Sequence, residues 1–295
     1  MTNTDIQAAY MGTDLVSKVY LGDEVIWGGE TNPYASMYLT AEIVCGGTFT
    51  ISNPAVYYSV NDGPWTQAAR ASTSSTLGNI TVSAGDKIRF KGNQAGKEAF
   101  KWQNGAGTSN LCFYDIYGNI LSLEYGDNFE GQTGFITSSR PFYGTFRNTI
   151  GPGSIYTHFG IRDAKNLVLP PSVVTDCYRS CFHGNINMIS MPELPAKTPA
   201  TGCYFFMFGH CYSLTSSPVI QLESLVSGSC YQMLQHCSGL TEITCLAQSG
   251  IDQDDSTTNW VQNVAGNGTF YKHPNATWPS GNNGIPTGWT VVDVQ

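Results

Sequence analysis

The chain has 295 residues, enough for two or three units that each bury a core. Charged side chains make up 12% of it, about half the usual share, while 32 Gly, 16 Tyr and 14 Phe point to turn-rich, aromatic β structure. A net charge of −8, with only 14 Lys and Arg spread along the chain, excludes a nucleic-acid partner, and no apolar run reaches the length of a membrane span.

The first residues, Met1-Thr2-Asn3-Thr4-Asp5-Ile6-Gln7, carry no basic region and no apolar stretch, so no secretion signal is expected. Tyr10-Met11-Gly12 returns as Tyr20-Leu21-Gly22, and Val16 returns as Ile26, a period of 10. Leu15 to Leu21 reads as one strand and Val25-Ile26-Trp27 as another. Strands this short need partners. Residues 1–30 are therefore read as an anchoring and assembly segment, with Tyr10, Gly12, Tyr20, Gly22 and Trp27 as its candidate residues. A homo-oligomer is expected, a trimer by preference. Gly28 to Pro33 reads as a linker.

From Tyr38 to Leu123 short runs of β-branched and aromatic residues alternate with turn signals such as Gly46-Gly47, Ala84-Gly85-Asp86 and Gly118-Asn119. Ile120-Leu121-Ser122-Leu123 is taken as a further strand. The pattern predicts a β-sandwich over 31–123. Ser59-Val60-Asn61-Asp62-Gly63-Pro64-Trp65 is similar to the Asp-box turn of sialidase propellers, but it stands in a single copy with the Asp displaced, and a hairpin turn is the reading. Residues 124–155 read as a junction.

Residues 156–250 hold the strongest signal. Cys177-Tyr178-Arg179-Ser180-Cys181-Phe182, Cys203-Tyr204-Phe205-Phe206-Met207-Phe208 and Cys230-Tyr231-Gln232-Met233-Leu234 repeat with periods of 26 and 27. Each copy leads to an apolar residue (Met188, Leu214, Leu240), and the first two lead on to extended segments with Pro192 and Pro218. Such a period marks a solenoid, in which no unit buries its own core and each must stack on the next. Cys203 and Met207, like Tyr204 and Phe208, stand at i and i+4, which predicts one or two turns of helix. Asn166 to Pro171 reads as a degenerate earlier copy. Seven of the nine Cys fall between 177 and 245, mostly in repeat register, and are read as small buried side chains rather than a disulfide or metal framework. Residues 251–295 drop the repeat but keep three tryptophans, which fit a terminal cap; Trp260, Trp278 and Trp289 are also the candidate ligand surface.

No residue pattern in the sequence points to a catalytic residue or a cofactor motif. His183, His210 and His236, spaced 27 and 26 apart with Cys211 and Cys237 beside two of them, are candidate zinc ligands, although structural sites draw on tighter pairs and packing or surface histidines are the simpler reading. Asp252, Asp254 and Asp255 lack the Gly and terminal Glu of a calcium loop and read as solvated. Acids are plentiful, but nothing selects the carboxylate pair that glycoside hydrolysis needs.

Cys-Tyr-x-x-Met-Phe-x-x-Cys-x-Ser-Leu-Thr, read from Cys203 to Thr215, resembles the BspA-like leucine-rich repeats of gut Bacteroidales surface proteins and of crass-like and other bacteriophages of those hosts. Tyr125 to Thr133, Asp163 to Leu167 and the ending Gly268 to Val291 are similar to the segments flanking those repeats, so the resemblance covers about 38–292. His183-Gly184-Asn185, Gly209-His210 and Gln235-His236 depart from the usual Gly-Cys, and the third copy is a residue short. The Tyr-x-Gly segments resemble small modules that open phage fibre and tail proteins. The resemblance implies adhesion and display, without catalytic residues. With no secretion signal expected, the sequence predicts a virion protein, a fibre or decoration subunit made in the host cytoplasm, with other virion proteins and a host surface glycan or protein as partners. A gut-bacterial cell-surface adhesin or carbohydrate-binding protein is the alternative, and a capsule depolymerase the enzyme reading.

Overall fold

A computed structural model describes residues 9–11, 14–16, 18–21, 24–28, 32–51, 55–68, 79–92, 100–102, 112–148 and 159–294. The protein is mainly β, with mixed and parallel sheets and, among the described residues, one short α-helix. Near the N-terminus lie two antiparallel pairs, β1 (Ala9–Met11) with β2 (Asp14–Val16) and β3 (Lys18–Leu21) with β4 (Glu24–Gly28). The single strand expected from Leu15 to Leu21 is thus divided between two hairpins, and each period of 10 is one hairpin. Tyr10 pairs with Leu15, Tyr20 with Val25 and Val19 with Trp27. Gly12 and Gly22 lie outside the described residues.

Eight strands follow: β5 (Leu39–Ile43), β6 (Gly47–Ile51), β7 (Val56–Val60), β8 (Thr66–Gln67), β9 (Asn79–Val82), β10 (Lys87–Gly92), β11 (Phe100–Trp102) and β12 (Cys112–Asn119). They make two antiparallel arrays, β8-β7-β10-β5-β12 and β11-β6-β9. The period-2 pattern of β10 buries Ile88 and Phe90 and leaves Lys87 exposed; Ile43 and Val56 beside it, and Ile51 and Val82 of the other array, are buried too. Asn61 and Asp62 make a hairpin turn with φ of 49° and 59°, closed by Gly63 N–H to Val60 O at 2.9 Å.

Ile120 to Leu123 is not a strand. β12 runs unbroken through Gly118, whose φ is +86° and where a Cβ would stand 2.2 Å from Tyr38 O. The chain then turns into α1 (Ser122–Tyr125). Ser122 Oγ accepts from Leu39 N–H (3.0 Å) and donates to Phe90 O (2.9 Å), which ties α1 to the sheet and leaves no ladder position for another strand. Buried Glu124 accepts the Ile136 and Thr137 N–H groups at 3.1 and 3.0 Å.

The outer edge of β12 continues as a parallel ladder. β13 (Phe159–Asp163) and β14 (Leu167–Val168) pair with β12, Asp163 bridges to Ser190, and Leu194 bridges to Ile220. Beyond these stand β15 (Ser216–Ile220), β16 (Glu242–Cys245), β17 (Thr269–Lys272) and β18 (Thr290–Asp293), all parallel. Pro218 sits where the β15–β16 register shifts, and Ser217 Oγ there accepts the Thr244 N–H at 3.1 Å.

On the opposite side of the chain's path, the expected helical turns are strings of β-turns. In 176–185, 202–211 and 229–237 odd-numbered N–H groups donate three residues back, while even-numbered ones donate to the following stretch at 2.8–3.1 Å, as in Tyr178 to Cys203 O and Tyr204 to Ser229 O. Every fourth residue is left-handed: Asp176, Ser180 and Gly184; Gly202, Phe206 and His210; Gly228, Gln232 and His236. For a side chain with a Cβ this conformation costs about 1–2 kcal/mol, an expense the bonds between stretches offset. Such a string repeats every four residues, so it puts i and i+4 on one face as a helix does. One stretch falls in the expected junction: Arg140, Phe142, Gly144, Phe146 and Asn148 donate to the carbonyls of 175, 177, 179, 181 and 183.

Between the ladder and the turns, aromatic rings stack in register. Phe142, Tyr178 and Tyr204 form one column (6.2 and 6.1 Å between centroids), and Phe146, Phe182 and Phe208 another (5.4 and 5.3 Å). Met188, Leu214 and Leu240 are fully buried. The seven cysteines from Cys177 to Cys245 are buried free thiols, and burial pushes the pKa of each upward, keeping them protonated. At least four do more than fill space: Cys177 Sγ and Cys203 Sγ donate at long range to Cys203 O (3.6 Å) and Ser229 O (3.9 Å), while Cys211 Sγ donates to Phe182 O at 3.3 Å and Cys237 Sγ to Phe208 O at 3.1 Å. Asn185 holds the corresponding place one stretch earlier. Its Nδ2 donates to Phe146 O (3.0 Å) and Phe182 O (2.7 Å), and its Oδ1 accepts the Ile161 N–H at 2.9 Å. The departure at Asn185 is thus where β13 is bonded to the turns.

Candidate functional site

The outward side of the turn strings carries side chains that the core does not use. Asp176, the left-handed residue that opens one string, takes Arg140 at 3.0 Å and Arg179 at 3.4 Å. The Arg179 guanidinium then lies 3.9 Å above the Phe205 ring, a cation–π contact. Phe205 in turn stacks on Tyr231 at 4.4 Å and 9°. Arg179, Phe205 and Tyr231 form a half-buried ridge across three successive stretches. Beside it runs a second line of rings. Phe206 packs 4.4 Å from His183, and His210 stacks on His236 at 4.4 Å and 13°. The Phe206 ring lies over Gly209, where a Cβ would stand 2.1 Å from it, so only glycine leaves the ring its place.

Tyr231 is the ridge residue that sequence alignment misplaces. Matching Cys230-Tyr231 to Cys203-Tyr204 puts Tyr231 in the core column. The hydrogen bonds instead set Cys230 opposite Tyr204 and Tyr231 opposite Phe205. The short third copy held the signal. Met188, Leu214 and Leu240 repeat at 26 and 26, and that register, rather than the cysteine register, aligns the turns.

The three histidines do not converge on one point with the neighbouring thiols. His210 and His236 share one column, whereas His183 stands a position away, its ring centroid 5.3 Å from that of His210. His210 Nδ1 meets Tyr212 Oη at 3.0 Å and His236 Nδ1 meets Asn263 Nδ2 at 3.2 Å, while the Cys211 and Cys237 thiols point inward at carbonyls. Among the described residues no three His, Cys, Asp or Glu side chains gather around a point. Asp252, Asp254 and Asp255 are exposed left-handed turn residues, and Asp252 and Asp255 accept hydrogen bonds from Asn283 and Thr258 at 3.0 Å.

The three tryptophans named as a ligand surface are interior. Trp260 is fully buried, and Trp278 and Trp289 are nearly so. Trp260 stacks on Trp278 at 5.2 Å, and the Trp260 and Trp289 indole N–H groups donate to Gly284 O and Ala265 O at 2.8 Å. They close the last stretch, and their ring faces are covered because an open end would expose the apolar columns.

His183 gives this face a pH dependence. Burial first, then Arg147 and His210, lower its ionisation from 6.5 to about 3; burial and His236 lower that of His210. An unfolded chain takes up a proton below about 6.5 that the fold refuses until about 3. The stability contribution is therefore complete above 6.5 and is lost as pH falls. Between pH 4 and 6, His183→Gln is expected to flatten the slope of unfolding free energy against pH by about 1.4 kcal/mol per unit. Urea titrations across that range measure it; an unchanged slope means that His183 is protonated in the fold.

Comparison with protein-family models, with curated proteins and with solved structures finds no match. Among the described residues no helix is long and apolar enough to cross a membrane.

Proposed function

We propose that this chain is a non-enzymatic display and adhesion protein, a bacteriophage fibre or decoration subunit that presents a binding surface to host-cell glycans or proteins. In this reading the two antiparallel arrays form a β-sandwich, and the stacked stretches form a short leucine-rich-repeat solenoid of the BspA-like kind with a C-terminal cap. The observation that carries it is the ridge of Arg179, Phe205 and Tyr231. Register between stretches holds three large, half-buried side chains in line on the outward side of the turns. Aromatic and Arg side chains are the residues that concentrate binding energy at interfaces. The N-terminal hairpins support the anchoring role, because pairs of three to five residues require a partner for stability. Fluorescently labelled full-length chain is expected to bind gut Bacteroidales cells saturably. Absence of saturable binding to a broad strain panel sinks the reading.

A further inference from the structure

A second surface lies away from the ridge, where β12 passes from the antiparallel array into the parallel ladder. There Tyr34, Tyr117, Glu42, Asp115, Asp163 and Asn166 face a cleft of about 330 Å³, with Lys87 and the half-exposed Met37 on its margin. We infer that this cleft is a binding site for a neutral saccharide, one or two pyranose rings of a surface glycan. The inference gives the display reading a ligand class and rests on it.

The cleft has the size of a small-ligand site. Its aromatic part is a corner: the Tyr34 and Tyr117 rings meet at 5.6 Å and 65°, leaving ring surface at two orientations. A pyranose offers an apolar C–H face to such a ring and an edge of hydroxyl groups to polar neighbours. The polar part is already held in place. Asn166 Nδ2 donates to Tyr34 Oη at 3.1 Å, so that phenol keeps its own proton to donate. Arg162 Nε and Nη2 bind the two oxygens of Asp115, and Asp163 Oδ1 accepts from Ser190 Oγ and from Lys165 N–H. Glu42 pairs with Lys87 at 3.5 Å.

These partners decide the ligand. Each carboxylate is already paired or hydrogen-bonded, so the group is poorly placed to wrap a metal ion, yet it retains lone pairs for hydroxyl donors. Three carboxylates stand against two cations, Lys87 and Arg162, so a charged uronate or sialate is repelled while an uncharged sugar is not. Preorganised acceptors also lower the ordering cost of binding.

The test titrates full-length chain with the methyl glycosides of glucose, galactose and mannose, and with methyl glucuronide and calcium chloride as controls, followed by NMR. At least one neutral glycoside is expected to bind at about millimolar affinity, as one sugar in a shallow site does. Tyr34→Ala and Asp163→Asn are each expected to weaken it about tenfold or more, with melting unchanged in at least one of them. The ridge variant Phe205→Ser/Tyr231→Ser is expected to keep it. No binding of any neutral glycoside, binding that survives both cleft variants, equal binding of the glucuronide, or calcium binding at these carboxylates in place of sugar each overturns the inference. Loss of sugar binding alone leaves cell binding through the ridge standing, so the two readings fail separately.

Discussion

Phe182→Ala is expected to destabilise the protein by about 3–5 kcal/mol, a large fraction of the stability of an ordinary domain. Phe182 is fully buried in the middle of its column, with Phe146 on one side and Phe208 on the other. Removing the ring opens a cavity that neither neighbour can fill, because the backbone bonds of 182 and 208 to the adjoining stretches fix the spacing. The loss also propagates. A stretch has no core of its own, so a gap in one column weakens the contacts on both sides. Phe182→Leu should recover most of the stability, since Leu234 is the next residue of that column. Urea midpoints of the two variants measure both effects. A loss below about 1 kcal/mol for Ala would mean that the columns are not packed as described.

The second large effect is expected at Asn185. Asn185→Leu keeps the volume but strips the Ile161 N–H of its acceptor and two carbonyls of a donor. A buried orphan N–H costs about 1–3 kcal/mol and each of the two lost bonds about 0.5–1.5, so roughly 2–6 kcal/mol in all is expected. Asn185→Cys separates the two roles. A thiol donates to a carbonyl, as Cys211 and Cys237 do, but leaves the Ile161 N–H unmet. Its loss should fall between wild type and Leu. Hydrogen exchange at the Ile161 amide should rise in both variants, and an unchanged rate would show that this amide does not depend on Asn185.

The repeat, its apolar residues and the boundaries of most strands in 38–119 were legible because each rests on a local period or a turn signal. The turn strings were not read as such. A string of turns with every fourth residue left-handed and an α-helix both place Cys203 with Met207 and Tyr204 with Phe208, so periodicity alone cannot separate them. Phe206 and Gln232 in the left-handed region gave no warning, since these residue types seldom adopt it. The ridge was hidden by one residue of register, a shift that moves Tyr231 from the core to the outside. The tryptophans were ambiguous for a different reason. A ring that caps a stack and a ring that binds a sugar have the same composition, and only burial distinguishes them. The cleft draws on residues from Tyr34 to Asn166 that are distant in sequence, and no local pattern joins them.

The proposed display role requires the ridge to be the surface presented to the host. Binding of labelled full-length chain to Bacteroidales cells, compared between wild type and Phe205→Ser/Tyr231→Ser at matched thermal stability, tests this most directly. Loss of the stacked pair is predicted to weaken binding by at least about tenfold, the range of an interface hot spot. A folded double variant that binds as tightly as wild type would contradict it.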